Sequence, residues 1–515
     1  MSRSPAARLP VGAAIVLMST LALAACTGGS NPDPTGSGAS GAGSVAPMTV
    51  KVMEFNIEYG GSVVDFSGVP QAIRKADPDV VAIEEGYAQM PRIAAALGWR
   101  YYDPRTQVVS KYPLLAPSDD SHYDLVEVAP GHVVALANLH LPSAPYGPNL
   151  ARRGASPAKL VAVEARGRLP MAQEYLHAVA PLVAAGVPTV ITGDFNAPSH
   201  LDWTPATVGI RSQITHPVAW PVSEAVERAG FVDSYRTLYP DPVTHPGLTW
   251  PANRAVRGTY NPYPDHAPRD RIDFIYLSGA TPTSSVVVGE PGTAGVDVTS
   301  QPWPSDHHAV MTTMTVAPAP APPLVSVDSR RATRGEPVVV RYQGDGSPGS
   351  HLVVVPQGGT VDVAAVADSP VPDGTSAGST SFDTAGWDPQ PYDVVLVAGN
   401  GDEIARSTVW VEASDAVTLS TDRRRYRSGA PIHVAWTGAA GNRWDWVSVY
   451  PYHARTGSGN YQQWLYTGST VDGSATIDGR THGGTWPLSP GRYTLYLLQD
   501  DGYQDVAGTD IRVTP

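Results

Sequence analysis

Along the first half of the chain, apolar residues alternate in short runs that each stop at a polar side chain. Val50 to Ile57 reads as a strand, and Asn56 and Glu58 leave it two positions apart on a shared face. Val80-Val81-Ala82-Ile83 runs into Glu84-Glu85, and Val133 to Ala137 runs into Asn138-Leu139-His140. Thr189-Val190-Ile191-Thr192 stops at Gly193 and presents Asp194 and Asn196 on one side with Phe195 on the other. Arg271-Ile272-Asp273-Phe274-Ile275-Tyr276 alternates polar with apolar, and Ser305-Asp306-His307-His308 precedes one more strand-like segment. Helical spacing is predicted for Gln71 to Lys75, for Met90 to Leu97 ending at Gly98, and for Pro157 to Ala185. The last of these is expected to break near Pro170 and to stop at Gly186. A long loop, Pro142 to Pro157, follows His140 and carries Tyr146, Arg152 and Arg153; it reads equally as a substrate contact or as solvated surface.

The pattern changes after Val316-Ala317-Pro318-Ala319-Pro320-Ala321-Pro322-Pro323, which reads as a semi-rigid polyproline-type linker. Short alternating strands and Gly or Asp turns take over, and a repeat shows. Gly335-Glu336-Pro337-Val338-Val339-Val340-Arg341-Tyr342 returns as Gly429-Ala430-Pro431-Ile432-His433-Val434-Ala435-Trp436, and Tyr392 to Leu396 returns as Tyr493 to Leu497. Each copy has the length of one immunoglobulin-like β-sandwich, which sets two modules at 325–413 and 416–515 after a linker at 317–324. The second copy is the more aromatic, with Trp444, Trp446, Tyr450, Tyr452, Tyr461 and Trp464. These rings suit either a sandwich core or a platform for cell-surface carbohydrate or protein.

At the other end, Arg3 and Arg8 precede an apolar stretch, Val11 to Leu23, that closes on Ala24-Ala25-Cys26. A basic head, a short apolar core and small residues before a cut describe a secretory signal, and the placed cysteine resembles a bacterial lipoprotein box. Cys26 is then the expected lipid attachment, 1–26 the signal segment and 27–47 a Gly/Ser/Pro-rich tether. The protein is expected outside the cytoplasm, touching the membrane through that anchor only. Cys26 is the single cysteine of 515 residues, so no intramolecular disulfide can help the domains, and each must stand on its buried core.

Carboxylates, amides and imidazoles that repeatedly end strands are the residue types of a metal-assisted hydrolytic centre. In their order, Phe55-Asn56-Ile57-Glu58, Val80 to Glu85, Ser110-Lys111-Tyr112-Pro113, Asn138-Leu139-His140, Gly193-Asp194-Phe195-Asn196, Ile272 to Ile275 and Ser305-Asp306-His307 resemble the endonuclease/exonuclease/phosphatase superfamily. The resemblance spans 48–316 and implies an α/β four-layer sandwich, two packed β-sheets flanked by helices, ahead of the two all-β modules. By the same resemblance Glu58, Glu85 and Asp306 hold a divalent cation, Mg²⁺ first and Mn²⁺ or Ca²⁺ as alternatives. Asp194 handles the attacking water, Asn56 and Asn196 fix water and phosphoryl oxygens, and His140 and Asp273-oriented His307 meet the developing charge. One departure stands out: the family usually carries Gln before its metal-binding Glu, and this chain has Glu84 there.

Charge bears on the partner. Residues 48–316 hold 19 Lys and Arg against 26 Asp and Glu, and the whole chain has a net charge of −13, so strong nonspecific duplex binding is disfavoured. The densest basic interval is Arg152, Arg153, Lys159, Arg166 and Arg168, which makes Arg152 and Arg153 the candidate substrate contacts. The expected enzyme is a monomeric, surface-anchored phosphoesterase acting on a phosphodiester or phosphomonoester, with a nuclease as the leading case. The competing reading is a ligand-binding lipoprotein on an inactive fold, and Glu85, Asp194 and His307, all present, argue against it.

Overall fold

The computed structural model describes residues 45–117, 121–253, 269–361, 365–457 and 460–515. Cys26, the signal segment and residues 27–44 of the tether lie outside the described residues.

Two β-sheets face each other in the first part of the chain, each seven-stranded among the described residues. The first runs Val298–Thr299, Ala280–Gly289, Ala309–Val316, Met48–Asn56, Val80–Glu84, Val108–Ser110, Tyr101–Asp103. The second runs Leu114–Leu115, Asp124–Ala129, His132–His140, Thr189–Asp194, Asp273–Ser278, Val232–Asp233, with Ala319–Pro320 added beside His132–His140. Met48–Asn56 and Val80–Glu84 run parallel at the centre of one sheet, as do His132–His140 and Thr189–Asp194 in the other.

Strand periodicity explains how one sequence fills three layers of core. Val50, Val52, Val80, Ala82, Val134, Leu136, Val190, Ile275 and Leu277 meet between the sheets. Their alternates Met53, Phe55, Val81 and Ile83 pack under the helices Gly68–Ala76 and Met90–Leu97. Leu139, Ile191, Phe195, Phe274 and Tyr276 pack under the helices Arg168–Ala184 and Pro221–Arg228. The inner face turns polar at one end of the sandwich, where Val52 gives way to Glu54 and Asn56, Ala82 to Glu84, Leu136 to Asn138, Val190 to Thr192 and Asp194, and Ile275 to Asp273. The site is therefore the polar end of a core that is otherwise apolar.

Two sequence expectations shift in detail. The helical stretch after Pro157 divides at Gly167, into Pro157–Arg166 and Arg168–Ala184, rather than near Pro170, and the loop before it contains a short helix, Gly147–Arg152. Residues 316–323 do not behave as a spacer: Ala319 and Pro320 pair with Val133 and His132, and Leu324 packs with Leu115, Leu125 and Leu182. A proline-rich stretch can add to a sheet edge because an edge strand needs only half its backbone donors.

Each C-terminal repeat folds as a three-stranded sheet on a five-stranded one. Pro337–Gln343 and Ile432–Thr437, which carry the first repeated motif, are the middle strands of the two three-stranded sheets. Gln390–Val397 and Gly491–Leu498, which carry the second, are the middle strands of the two five-stranded sheets. No helix among the described residues is long and apolar enough to cross a membrane.

Candidate active site

Pairing register brings the polar strand ends together. His140 lies opposite Asp194 across the parallel pair, and Asp273 lies opposite Asp194 on its other side. Gly193 makes the approach possible, since a Cβ there would sit 1.9 Å from the Leu139 carbonyl oxygen, and its φ of +147° is one that side-chain-bearing residues rarely adopt. Arg271, two residues before Asp273, is buried and locked by ion pairs to Asp202 at 3.0 Å and Asp233 at 2.7 Å, which fixes where that strand begins. In the paired geometry this buried arginine is structural.

One oxygen is the hub. Asp194 Oδ2 accepts from Asn56 Nδ2 at 3.1 Å and from Asn196 Nδ2 at 3.0 Å, with His140 Nε2 at 3.5 Å and His307 Nε2 at 3.7 Å. Asp194 Oδ1 accepts from the Asn196 backbone N–H at 2.8 Å. His307 Nδ1 meets the Asp273 carboxylate at 3.0 Å, and the His307 backbone N–H donates to Ser305 Oγ, whose own hydroxyl donates to the Asn56 carbonyl at 2.6 Å. Burial alone would push the His307 imidazole down, but the Asp273 and Asp194 carboxylates outweigh it and hold it well above the usual histidine range. Burial pushes the Asp194 carboxyl up to about 6, against the pull of His307. His308 turns away to Glu290, at 2.8 Å, and to the Leu248 carbonyl, just ahead of the Ala309–Val316 strand.

The acids expected at the cation stand to one side. Glu85 Oε2 accepts from the Tyr59 backbone N–H at 2.8 Å and from the Tyr87 hydroxyl at 3.2 Å, while Glu85 Oε1 sits 3.5 Å from Asn56 Nδ2. Glu58 Oε2 accepts from the Asp306 backbone N–H, and Asp306 Oδ2 accepts from Trp250 Nε1 at 3.2 Å. Glu58, Glu85 and Asn196 all have positive φ, near 50°, a conformation that costs roughly 1–3 kcal/mol for a residue other than glycine and tends to be kept at working sites. Among the described residues the tightest group of possible metal ligands is a different one: Asp194, Asp273 and His307 bring one atom each to within 4.8 Å of one another. His307 Nδ1 is already committed to Asp273, so this trio also works as a hydrogen-bonded relay. The expected trio of Glu58, Glu85 and Asp306 offers the oxygen donors a hard cation takes, but the structure does not bring one atom of each to within that distance.

Glu58, Glu85, His140, Asp194, Asn196, Asp306 and His307 line one cleft of about 1170 Å³, and Asn56 and Asp273 lie fully buried behind them. Arg152 and Arg153 do not reach it: both are exposed at the end of the Gly147–Arg152 helix, outside the described lining. Arg168 is buried against Glu164 at 2.5 Å and the Ser143 and Pro145 carbonyls, and Tyr146 donates to Asp270. Of that basic interval only Arg166 lines the cleft. A charge run shows how many cations a segment has, but helix phase decides which of them face the site. Sequence reading also missed Tyr59, Tyr87 and Trp250, whose backbone or ring groups hold the acids, because no local pattern marks a residue that serves a distant carboxylate.

A two-sheet α/β sandwich with an acid, two amides and two imidazoles converging at its strand ends defines a phosphoesterase-like or nuclease-like class. Residues 53–307 match the sequence profile of the Endonuclease/Exonuclease/phosphatase family. An uncharacterized protein of Caenorhabditis elegans is 30% identical over 286 residues, covering 51% of this chain and 90% of that one. The chain belongs to the endonuclease/exonuclease/phosphatase family. Solved structures similar to it include an endonuclease/exonuclease/phosphatase from Beutenbergia cavernae, at 18% identity with 70% of this chain and 99% of that chain covered and a TM-score of 0.31. Another is a family protein from Bacteroides thetaiotaomicron, at 16% identity with 52% and 96% covered and a TM-score of 0.31.

Proposed function

We propose that this chain is a divalent-cation-dependent hydrolase of phosphoesters. The observation that carries the reading is Asp194 Oδ2, where two amide donors and two imidazole nitrogens converge on one buried carboxylate oxygen. The family makes divalent-cation chemistry the expectation, and the donor set agrees with it: Glu58, Glu85, Glu174, Asp194, Asp306 and Asp501 line the cleft against Arg166 and Arg443. A phosphoester anion would be repelled from so acidic a cleft without a neutralising ion. Glu85, with Glu58 and Asp306, would hold the ion, Mg²⁺ first and Mn²⁺ or Ca²⁺ as alternatives. When bound, it would supply neutralisation and polarisation of the phosphoryl group.

The chain's own residues do the rest. Asp194 accepts the proton of the attacking water, and the Asn196 and Asn56 amides hold the carboxylate in place and orient water and phosphoryl oxygen. Protonated His307, clamped by Asp273, donates to the oxygen on which charge develops, and His140 does so from the other side of Asp194. Turnover of bis(p-nitrophenyl) phosphate tests the reading. Chelator should abolish it, added divalent ion should restore it, and Asp194→Ala should lower kcat by about a hundredfold or more while the protein stays folded. No turnover with Mg²⁺, Mn²⁺ or Ca²⁺ would leave the ligand-binding reading in its place. Surface anchoring through a lipid on Cys26 belongs to the same proposal and rests on the sequence pattern of the first 26 residues.

A further inference from the structure

The second C-terminal sandwich reaches into the catalytic cleft. Its turn at residues 499–504 docks where Asp500, fully buried, accepts from the Ala88 backbone N–H at 3.1 Å, and a Cβ on Gly502 would lie 2.8 Å from the Tyr87 Cβ. Arg443 lies 5.3 Å over the ring of Tyr175 and donates to the Ser121 carbonyl. Tyr87, which these contacts press from the module side, is the residue whose hydroxyl holds Glu85. Arg443, Trp444, Trp464, Tyr466, His482 and Asp501 thereby line the same cleft as His140, Asp194 and His307.

The chemistry of that wall is specific. Trp464 stacks on His482 at 4.5 Å and meets Tyr466 edge-on at 5.0 Å. The strand Gln463–Tyr466 alternates, so Trp464 and Tyr466 fall on one face, and both are half-buried. Aromatic rings lining the same cleft as the proposed phosphoryl centre suit a planar or sugar ring. A cleft of about 1170 Å³ at a domain interface has room for a small-molecule ligand, and such interfaces are where small-molecule sites are commonly found. Duplex backbone binding needs several Lys or Arg contacts, and the described lining supplies two, Arg166 and Arg443.

We infer that the second sandwich is part of the active site and selects a small phosphoester whose non-leaving group carries a ring, with that ring held against the Trp464 and Tyr466 side chains. The inference rests on the hydrolase reading for its reaction but on the wall alone for its binding. Full-length Trp464→Ala should raise KM for the p-nitrophenyl ester of thymidine 5′-phosphate about tenfold, as loss of a stacking face does, with kcat within about twofold. Ethyl p-nitrophenyl phosphate, which carries no ring on its other arm, should change far less. Trp464→Phe should restore most of the effect, and His482→Ala, at an exposed position, should move KM the same way by a smaller factor. Thymidine 5′-monophosphate and glucose 1-phosphate, titrated calorimetrically, distinguish a base from a sugar as the ring, and Trp464→Ala should weaken whichever binds. If the wild type turns over the thymidine ester while all three variants keep its KM and Kd, the wall is surface and the inference falls, with the hydrolase reading intact. If the wild type binds ring phosphates yet turns over nothing, the hydrolase reading falls and Kd in the variants judges the wall. Binding of neither ring phosphate, or duplex DNA cut as efficiently as the small ester, overturns the inference.

Discussion

Glu84→Gln should stabilise the catalytic domain, increasingly so as pH rises. Glu84 ends the Val80–Glu84 strand opposite Asn56, Glu54 precedes Asn56 by two residues on the same inner face, and both acids are buried to 1% exposure or less. No donor among the described residues reaches any of their four oxygens. Two carboxylates in that position can satisfy each other only if one carries a proton and donates it, which ionisation would undo. Burial is the largest cause that raises both groups well above the usual carboxylate range, with further lifting by Asp273 and Asp194. A carboxyl raised on folding binds its proton more tightly in the native state than in the unfolded one. Stability is therefore full below the unfolded value near 4.5 and declines as pH climbs towards the folded value.

Glutamine at 84 keeps the shape, offers Glu54 two N–H donors and removes one of the raised groups. The wild-type and variant curves should then separate as pH rises above the unfolded value, by at most the one-proton slope of about 1.4 kcal/mol per pH unit. Because the chain has several cores and need not unfold in one step, the suitable readout is local: amide hydrogen exchange of Met48–Asn56 and Val80–Glu84 at pH 5, 6, 7 and 8, corrected for intrinsic rates. Protection of these strands should fall with pH in the wild type and fall less in Glu84→Gln. Parallel pH dependences, or a variant less protected than wild type at pH 8, would refute the shared-proton argument.

Activity should rise with pH through about 6 as Asp194 ionises and fall on the alkaline side where His307 loses its proton. Asp273→Asn removes the main group that raises His307, so the alkaline limb of kcat/KM should move to lower pH; an unmoved limb would mean His307 is not the acid. Gly193→Ala should cost several kcal/mol or prevent folding, because its methyl would collide with a backbone carbonyl and cannot rotate away; near-wild-type thermal stability would contradict the 1.9 Å approach. Cys26→Ser should move the protein from the membrane fraction to the soluble one with specific activity unchanged, and retention through salt washing would remove the lipid reading.

What the sequence revealed was whatever depends on alternation along one strand. The polar ends at Asn56, His140, Asp194 and Asp273 were legible because each breaks an apolar inner face that its own neighbours define. The two β modules were legible because strand repeats leave the same residues at the same central positions. Arg152 and Arg153 misled because a run of cations is read in one dimension, while the break at Gly167 and the buried Arg168–Glu164 pair decide orientation in three. The positive φ of Glu85 has no local signature, since nothing in a glutamate forecasts it; Tyr59 and Tyr87 hold its carboxylate, and Tyr87 is itself held by a turn more than four hundred residues downstream. The aromatic cluster of the second module divides in the same way. Trp446 and Tyr450 are core, whereas Trp444, Trp464 and Tyr466 line the cleft, and only the docking of one domain on another separates the two sets. The proposed catalytic residues lie on the first domain, but the cleft they line is written jointly by residues near 85 and residues near 465. Substitutions in the second module should accordingly change which phosphoester is chosen before they change how fast the chosen one is cut.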